Sequence, residues 1–206
     1  VPKVLMGKRH AGHKFMPGKF VFPGGRIEAA DRKMAAAAPL HPKVEEKLGK
    51  RRVKQQKSLP RALALAAIRE TFEETGLLLG RKGKIDHAPP GDWSDFVSHG
   101  IVPDLSDVHF IARAITPPKR PKRFDSSFLC LDAKWITHRV EGVIGPDTEL
   151  VELVWVPLKE AQQLDLPHIT GVVLKELEQR LIDGMSHDLP ASFYYEVRRT
   201  WFREEL

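Results

Sequence analysis

Residues 69–76 read RETFEETG, from Arg69 to Gly76: three glutamates within five positions, an arginine before them and a glycine to close. Working upstream, SLPRALALAAI meets no interior breaker. Ser58 offers an N-cap, Pro60 is tolerated in the first turn, and Gly76 stands where a left-handed terminator is needed. Residues 58–75 therefore read as one helix. At about 100° per residue, Glu70, Glu73 and Glu74 share an arc of roughly 100° with Arg69 at its edge. Ala64, Leu65, Ile68 and Phe72 fall opposite and would face a core. One face packs and the other presents carboxylates.

Like charges at these spacings repel and mildly weaken a bare helix. A cation resolves the conflict. An oxygen-only donor set, with no nearby His or Cys arrangement, favours Mg²⁺ or Mn²⁺ over zinc. The plainer alternative for EETG alone is an acidic helix surface paired with lysines. Farther upstream, FPGGRIEAAD ends a strand at Phe22 and Pro23, and Gly24 and Gly25 let backbone approach a metal or a phosphate oxygen closely. Alone, a GG pair is more often a turn.

Composition bounds the rest. The chain of 206 residues, 42 % apolar, suits one domain with a sizeable core. No run approaches a membrane span and no secretory signal is visible, so a membrane role is not expected. The start at Val1, nearly in mid-strand, is read as lacking upstream residues. The single Cys130, in the apolar run SSFLCL, reads as a buried core thiol in a reducing, cytoplasmic compartment. The net charge of +6 is localised: eight basic residues against Glu45 and Glu46 lie between Pro42 and Arg61, and PPKRPKR ends at Arg123. That distribution suits a polyanion handled at one or two places rather than nucleic-acid coating. Solvated, lysine-rich loops are the alternative.

KVLMGKR, VHFIARAI, SSFLCLDAKWI and ELVELVWVPL read as strands, with GLLLG a short one. WSDFVSH is a small helix that Asp92 can cap, and ITGVVLKELEQRLIDG is amphipathic, with Val173, Leu174, Leu177 and Leu181 at helical spacing and Gly184 after it. Interleaved strands and helices predict an α/β fold with a mixed sheet. Residues 32–60, alanine-rich and then lysine-rich, read as a basic, partly helical, mobile insertion within a single domain 1–206.

FPGG and RETFEETG together resemble the Nudix hydrolase signature: glycine, five residues, glutamate, seven residues, then RE, an apolar residue, any residue, EE, any residue, glycine and an apolar residue. Arg69, Glu70, Glu73, Glu74, Gly76 and Leu77 match the second half, with Thr71 at the apolar place. Gly25 matches the first half, and Asp31 stands where the family has glutamate. Thirty-seven residues, Arg32 to Ile68, replace the family's seven. WVPLKEA is similar to a late Nudix strand and helix start. HKFMPGKFVFPGGRIEAADR and ITPPKRPKRFDSSF resemble the branch that includes peroxisomal coenzyme A diphosphatases, some of which carry an insertion at this place. That branch has an arginine-bearing motif before FPGG. Here the corresponding positions read as Lys8 and Lys14, which lack arginine's two-pronged donor set. The C-terminal FREEL is no SKL-type peroxisomal address.

The resemblance implies an α/β/α sandwich and a metal-dependent hydrolase that cleaves a nucleoside diphosphate linked to another group X. Glu70, Glu73 and Glu74 would hold Mg²⁺ or Mn²⁺, with one of them a candidate base. Gly24 or Gly25 would lend a backbone carbonyl, and Arg69 would orient a glutamate. Asp31 would either support a water-mediated ligand or cap the insertion. Glu149 and Glu152 are candidates for a later carboxylate, although exposed strand residues fit them as well. His10 and His13 lie on the substrate side, where exposed loop histidines are the plainer reading. Coenzyme A or acyl-coenzyme A would use Lys8, Lys14 and Arg123, with Gly25 at the substrate. The rival substrates are ADP-ribose and NADH. A catalytically silent nucleotide- or RNA-binding module is the rival class, and the lack of interleaved aromatics argues against it. A homodimer is what the family suggests.

Overall fold

The computed structural model describes residues 1–13, 16–52 and 56–206. β1 (Lys3–Arg9) pairs antiparallel with the short β2 (Phe20–Val21) on one side. The chain then forms α1 (Ala29–Lys33), α2 (Pro42–Gly49) and the long α3 (Leu59–Thr75). β3 (Leu77–Leu79), β4 (Arg81–Lys82), α4 (Asp92–Ser98) and β5 (Ile101–Val102) lead to β6 (His109–Ile115) and β7 (Asp125–Cys130). β8 (Ile136–Arg139) follows a 3-10 turn, and β9 (Leu150–Pro157) runs antiparallel to the other edge of β1. α5 (Leu158–Ala161), α6 (His168–Ile182) and the hairpin of β10 (Ser192–Val197) and β11 (Thr200–Glu205) complete the chain.

The larger sheet has the order β11-β10-β6-β7 and is mixed, because β10 lies parallel to β6 while the other pairs are antiparallel. Its two faces bury different partners. Phe110 and Phe193 join Leu65, Ile68 and Phe72 of α3 on one side. Ile111 and Ala112 join Val173 of α6 on the other. Helices thus cover both faces, the α/β/α arrangement expected of alternating strands and helices. The smaller sheet, β2-β1-β9, packs Val4, Phe22 and Val156 against Leu158, Ala161 and Leu174 of α5 and α6.

α3 ends as its sequence dictates. Gly76 adopts φ 73°, its N–H bonds Phe72 O at 2.8 Å, and a Cβ there would collide with Val140 O. Its start differs from the expectation. Ser58 sits at the N-cap but caps nothing with its side chain; its Oγ accepts from Arg32 Nη1 at 2.9 Å instead. In α4 the N-cap is Gly91 rather than Asp92, which begins the helix. On α6, Val173 and Leu174 are buried, whereas Leu181 is exposed where the helix outruns the sheet.

The expectation of a mobile insertion is corrected by packing. Met34, Leu40, Val44 and Leu48 are all buried in the main core with α3. Two of its basic residues are spent inside the fold, while Arg32, Lys33, Lys43, Lys50, Arg51 and Lys57 stay exposed. Lys47 Nζ donates to His187 O and Leu189 O, both at 2.6 Å, and Arg52 Nη1 meets Asp125 Oδ2 at 2.8 Å. Buried Arg113 grips Asp125 with two bonds and also donates to Lys50 O and Arg51 O, riveting the end of the insertion to β6 and β7. The hairpin β10–β11 carried no sequence signal because Arg198 and Arg199 occupy its turn at φ 49° and 68°, where Asn-Gly would advertise it.

Candidate active site

Arg69 organises the acidic face from within. It is only 1 % exposed, and its Nε and Nη2 bond Asp31 Oδ1 and Oδ2 at 2.9 and 3.1 Å. Nη1 reaches Glu73 Oε1 at 2.5 Å, and Nη2 also meets Arg26 O at 2.7 Å and Glu70 Oε1 at 3.1 Å. One guanidinium therefore joins α3 to Asp31 of α1, 38 residues upstream, and to Arg26 O beside the glycine pair. Asp31, fully buried, accepts from Trp93 Nε1 at 2.8 Å and from Glu28 N at 2.7 Å, closing the first turn of α1. Both its oxygens are engaged by protein donors. The capping role considered for Asp31 holds, and the water-mediated ligand role gives way to that of Arg69's anchor.

The glycine loop lies directly on the glutamates. Gly24 N donates to Glu74 Oε2 at 2.9 Å and Arg26 N to Glu70 Oε1 at 3.1 Å. A Cβ on Gly25 would run into the Glu70 carboxylate and displace it from this approach. Glu70 Oε1, Glu73 Oε1 and Glu74 Oε2 are thus occupied, while the other oxygen of each accepts no hydrogen bond among the described residues. Burial pushes all three carboxyls up: Glu70 upward, Glu73 to about 6 and Glu74 to about 8. For Glu74 the fields of Glu149 and Glu70 add to burial, against the Gly24 N–H and Arg9. Three half-sheltered carboxylates, each with a spare oxygen and each resisting ionisation, fit a divalent cation; the all-oxygen set matches hard ions.

Near the glutamates stands an arginine the sequence did not reveal. Arg9 Nη2 bonds Glu149 Oε1 at 2.6 Å and His13 Nδ1 at 3.0 Å, and Arg9 Nε is buried without a partner among the described residues. Arg9, His13 and Glu149 line the same cleft as Gly24, Gly25 and Arg123. Glu149 is therefore the later carboxylate that reaches Glu74's surroundings, while Glu152 sits opposite Lys8 in the β1–β9 ladder and meets its Nζ at 3.9 Å. Lys8 does not line the cleft: it and Arg9 alternate to opposite faces of β1, and the irregularity beside them puts Leu150 rather than Val151 opposite Arg9. Lys14 lies outside the described residues. His10 turns back to accept from Gly12 N at 2.9 Å. Arg123 stays at the mouth, its Nε on Thr116 O at 3.2 Å, and Arg26 stacks 5.9 Å from the Phe124 ring centroid. Only the pairing of β1 with β9 brings Arg9 to Glu149, 140 residues away, so no local spacing could have found it.

This architecture has a solved counterpart. A crystal structure of a NUDIX hydrolase from Alicyclobacillus acidocaldarius superposes with a TM-score of 0.60 and 31 % identity, covering 84 % of this chain and 82 % of that one. The chain belongs to the Nudix hydrolase family. A putative nudix hydrolase 7 from Caenorhabditis elegans is 30 % identical over 170 residues, 77 % of this chain and 48 % of that protein. The human acyl-coenzyme A diphosphatase NUDT19 is 28 % identical over an alignment of 248 residues, 96 % of this chain and 60 % of that protein. The chain thus spans about half to three fifths of these curated relatives. No protein-family model matches it. Asp31 and Arg69 reconnect the two halves of the split Nudix motif. Thr71, at the motif's apolar position, disposes of its hydroxyl on Ala67 O at 2.7 Å within the helix.

Proposed function

We propose that this Nudix chain hydrolyses the diphosphate bond of a nucleoside diphosphate linked to X, with coenzyme A or acyl-coenzyme A as substrate and Mg²⁺ or Mn²⁺ held by Glu70, Glu73 and Glu74. The observation that carries the reading is the set of three carboxylates, each keeping one oxygen unbonded beside Gly24 and Gly25. A bound divalent ion would supply charge neutralisation at the diphosphate and a more acidic water. Arg69 fixes two of the glutamates without entering the cleft. Arg9, which lines the cleft, and Arg123 at its mouth hold phosphate oxygens. Glu149, fixed by Arg9 near Glu74, accepts the proton of the attacking water. The Gly24 carbonyl is an additional metal donor in this scheme.

The likeness to a human acyl-coenzyme A diphosphatase over nearly the whole chain supports the substrate choice. Product analysis across coenzyme A, dephospho-coenzyme A, ADP-ribose and NADH with Mg²⁺ or Mn²⁺ tests it. Phosphopantetheine with adenosine bisphosphate is the expected product pair; equal or better turnover of ADP-ribose or NADH would transfer the assignment to those conjugates. Glu74→Gln should remove at least about a hundredfold of the metal-dependent rate with the fold intact, and wild-type rates would refute the metal placement. Tight, salt-sensitive RNA binding without hydrolysis would favour a silent module. The internal use of Lys47, Arg52 and Arg61 leaves that reading less basic surface.

A further inference from the structure

β11 is the outer strand of the larger sheet, and among the described residues no strand covers its free edge. Its six residues pair with β10 in unbroken register, from Val197↔Thr200 to Ser192↔Glu205. Lysine, proline or a bulge ordinarily guards such an edge, and the run TWFREE has none of them. Its one cation, Arg203, is folded back onto Glu176 of α6, Nε to Oε1 at 3.1 Å. Trp201 is 56 % exposed and Phe202 41 %, the latter stacked on Tyr195 at 5.4 Å between ring centroids. Arg198 and Arg199 both lie at positive φ, as in the two-residue hairpin turn that makes Val197 and Thr200 its closing hydrogen-bonded pair. From that pair the ladder alternates. Thr200, Phe202 and Glu204 turn their N–H and C=O toward β10, and Trp201, Arg203 and Glu205 turn theirs outward. Leu206 N, bonded to Ala191 O at 2.9 Å, keeps the same alternation.

We infer that β11 is a homodimer interface, at which a second copy of this chain adds its own β11 antiparallel and extends the four-stranded sheet to eight strands. The side chains select the register. Only the outward-facing residues can bond across the edge, so the two-fold axis passes beside a residue rather than between two. Centred on Trp201, the axis sets Arg199 against the second copy's Arg203. Centred on Arg203, it sets that arginine against its own counterpart, and centred on Glu204 it does the same to the glutamate. Each of these opposes like charges, which destabilises a cross-strand pair. Centred on Phe202, no like charges meet. Trp201 then lies opposite the second copy's Arg203, a cation beside an indole ring, while Arg199 lies opposite Glu205 and Thr200 opposite Glu204. Trp201 and Arg203 exchange backbone hydrogen bonds on both sides of the axis. The two Phe202 residues meet between those bonds, where opposed side chains come closest, with Cα atoms about 4.5 Å apart. The contact is closed, because two copies use up both β11 edges and leave none for a third.

The test follows mass by light scattering over a concentration series of the chain, with amide hydrogen exchange as a second readout. The mass should approach twice 23.3 kDa as concentration rises, and the Trp201 and Arg203 amides should exchange at least about tenfold more slowly in the concentrated sample. Trp201→Pro removes an outward N–H, a change an edge strand tolerates, and Phe202→Lys sets two ammonium groups against each other. Each should weaken association at least about tenfold. Trp155→Ala, at a similarly exposed tryptophan of β9 in the smaller sheet, should leave association unchanged. Should Phe202→Lys disturb the fold through Tyr195, seen as a lowered urea midpoint, Trp201→Pro decides. A monomer mass at every concentration, dimers that persist in Trp201→Pro, growth beyond two copies, loss of dimers in Trp155→Ala, or dimers without slowed exchange at Trp201 and Arg203 would overturn the assignment.

Discussion

Replacing Asp31 by alanine removes the one carboxylate on which the glycine loop, α1, α4 and α3 converge. Arg69 would lose its bonds from Nε and Nη2 yet keep Glu73, Glu70 and Arg26 O. The cost therefore falls at the low end of about 3–5 kcal/mol for breaking a buried ion pair from one side. Trp93 Nε1, also fully buried, would be left unsatisfied and adds about 1 kcal/mol or more. A total of about 4 kcal/mol is a large share of a typical domain's stability. With a urea slope of about 2 kcal/mol/M, the unfolding midpoint should fall by about 2 M. Tryptophan fluorescence follows the transition, since Trp93 touches the altered group. Asp31→Asn, which keeps an acceptor for Trp93 but not the charge, should fall between the two. A loss below about 1 kcal/mol in Asp31→Ala would show that Arg69 does not depend on this anchor, and the account of how the split motif is held would fail.

Three other expectations follow from the same geometry. Arg9→Ala should lower kcat/KM for the hydrolysed conjugate at least about tenfold, whereas Lys8→Ala should leave it within about twofold; the reverse order in steady-state kinetics would restore Lys8 to the cleft. Metal-free stability should fall with rising pH, because Glu74 is held up to about 8 from an ordinary 4.5 and the folded chain therefore binds the extra proton. That contribution is complete below about pH 4.5 and is lost as pH rises through about 8, a change on the order of 2 kcal/mol after solvent screening. Thermal melts without metal should show this slope, Glu74→Gln should flatten it, and Mg²⁺ should stabilise most at the alkaline end. Leu48→Ala, in the insertion, should cost about 2–5 kcal/mol by urea unfolding, where a segment outside the core would cost under about 0.5 kcal/mol.

The acidic helix was legible because its information is local. Apolar and acidic residues separate at a 3.6-residue period, and Gly76 is a terminator wherever it stands. Arg69's role in orienting glutamate could be read for the same reason, with Glu73 four residues on. What escaped depends on long-range pairing. Lys8 and Arg9 face opposite sides of β1, and which side meets the cleft is decided by its pairing with β9, where the skip from Glu152 to Leu150 exchanges the faces of β9 rather than of β1. Asp31 looked like a weakened copy of a family glutamate, yet its surroundings are set by Trp93, 62 residues downstream. The stack of His41, His187 and His109 joins three distant segments and leaves no period at all.

The insertion reads as mobile from its composition, but composition does not report that its few apolar residues, Met34, Leu40, Val44 and Leu48, reach the core while most of its charges stay exposed. Lengthening the gap between the motif halves from seven residues to thirty-seven adds only about 1.5 kcal/mol of loop-closure entropy. Burying Met34, Leu40, Val44 and Leu48 returns about 1.5–3 kcal/mol for each side chain, against the entropy of ordering the segment. The residues at either end of the gap are then fixed by the buried Asp31–Arg69 pair. Sequence spacing between the motif's halves is therefore a weak constraint on its chemistry. What the glutamates require is that their arginine be met by the α1 carboxylate that follows the glycine loop, and any insert that packs well enough to leave that pair undisturbed is compatible with the site.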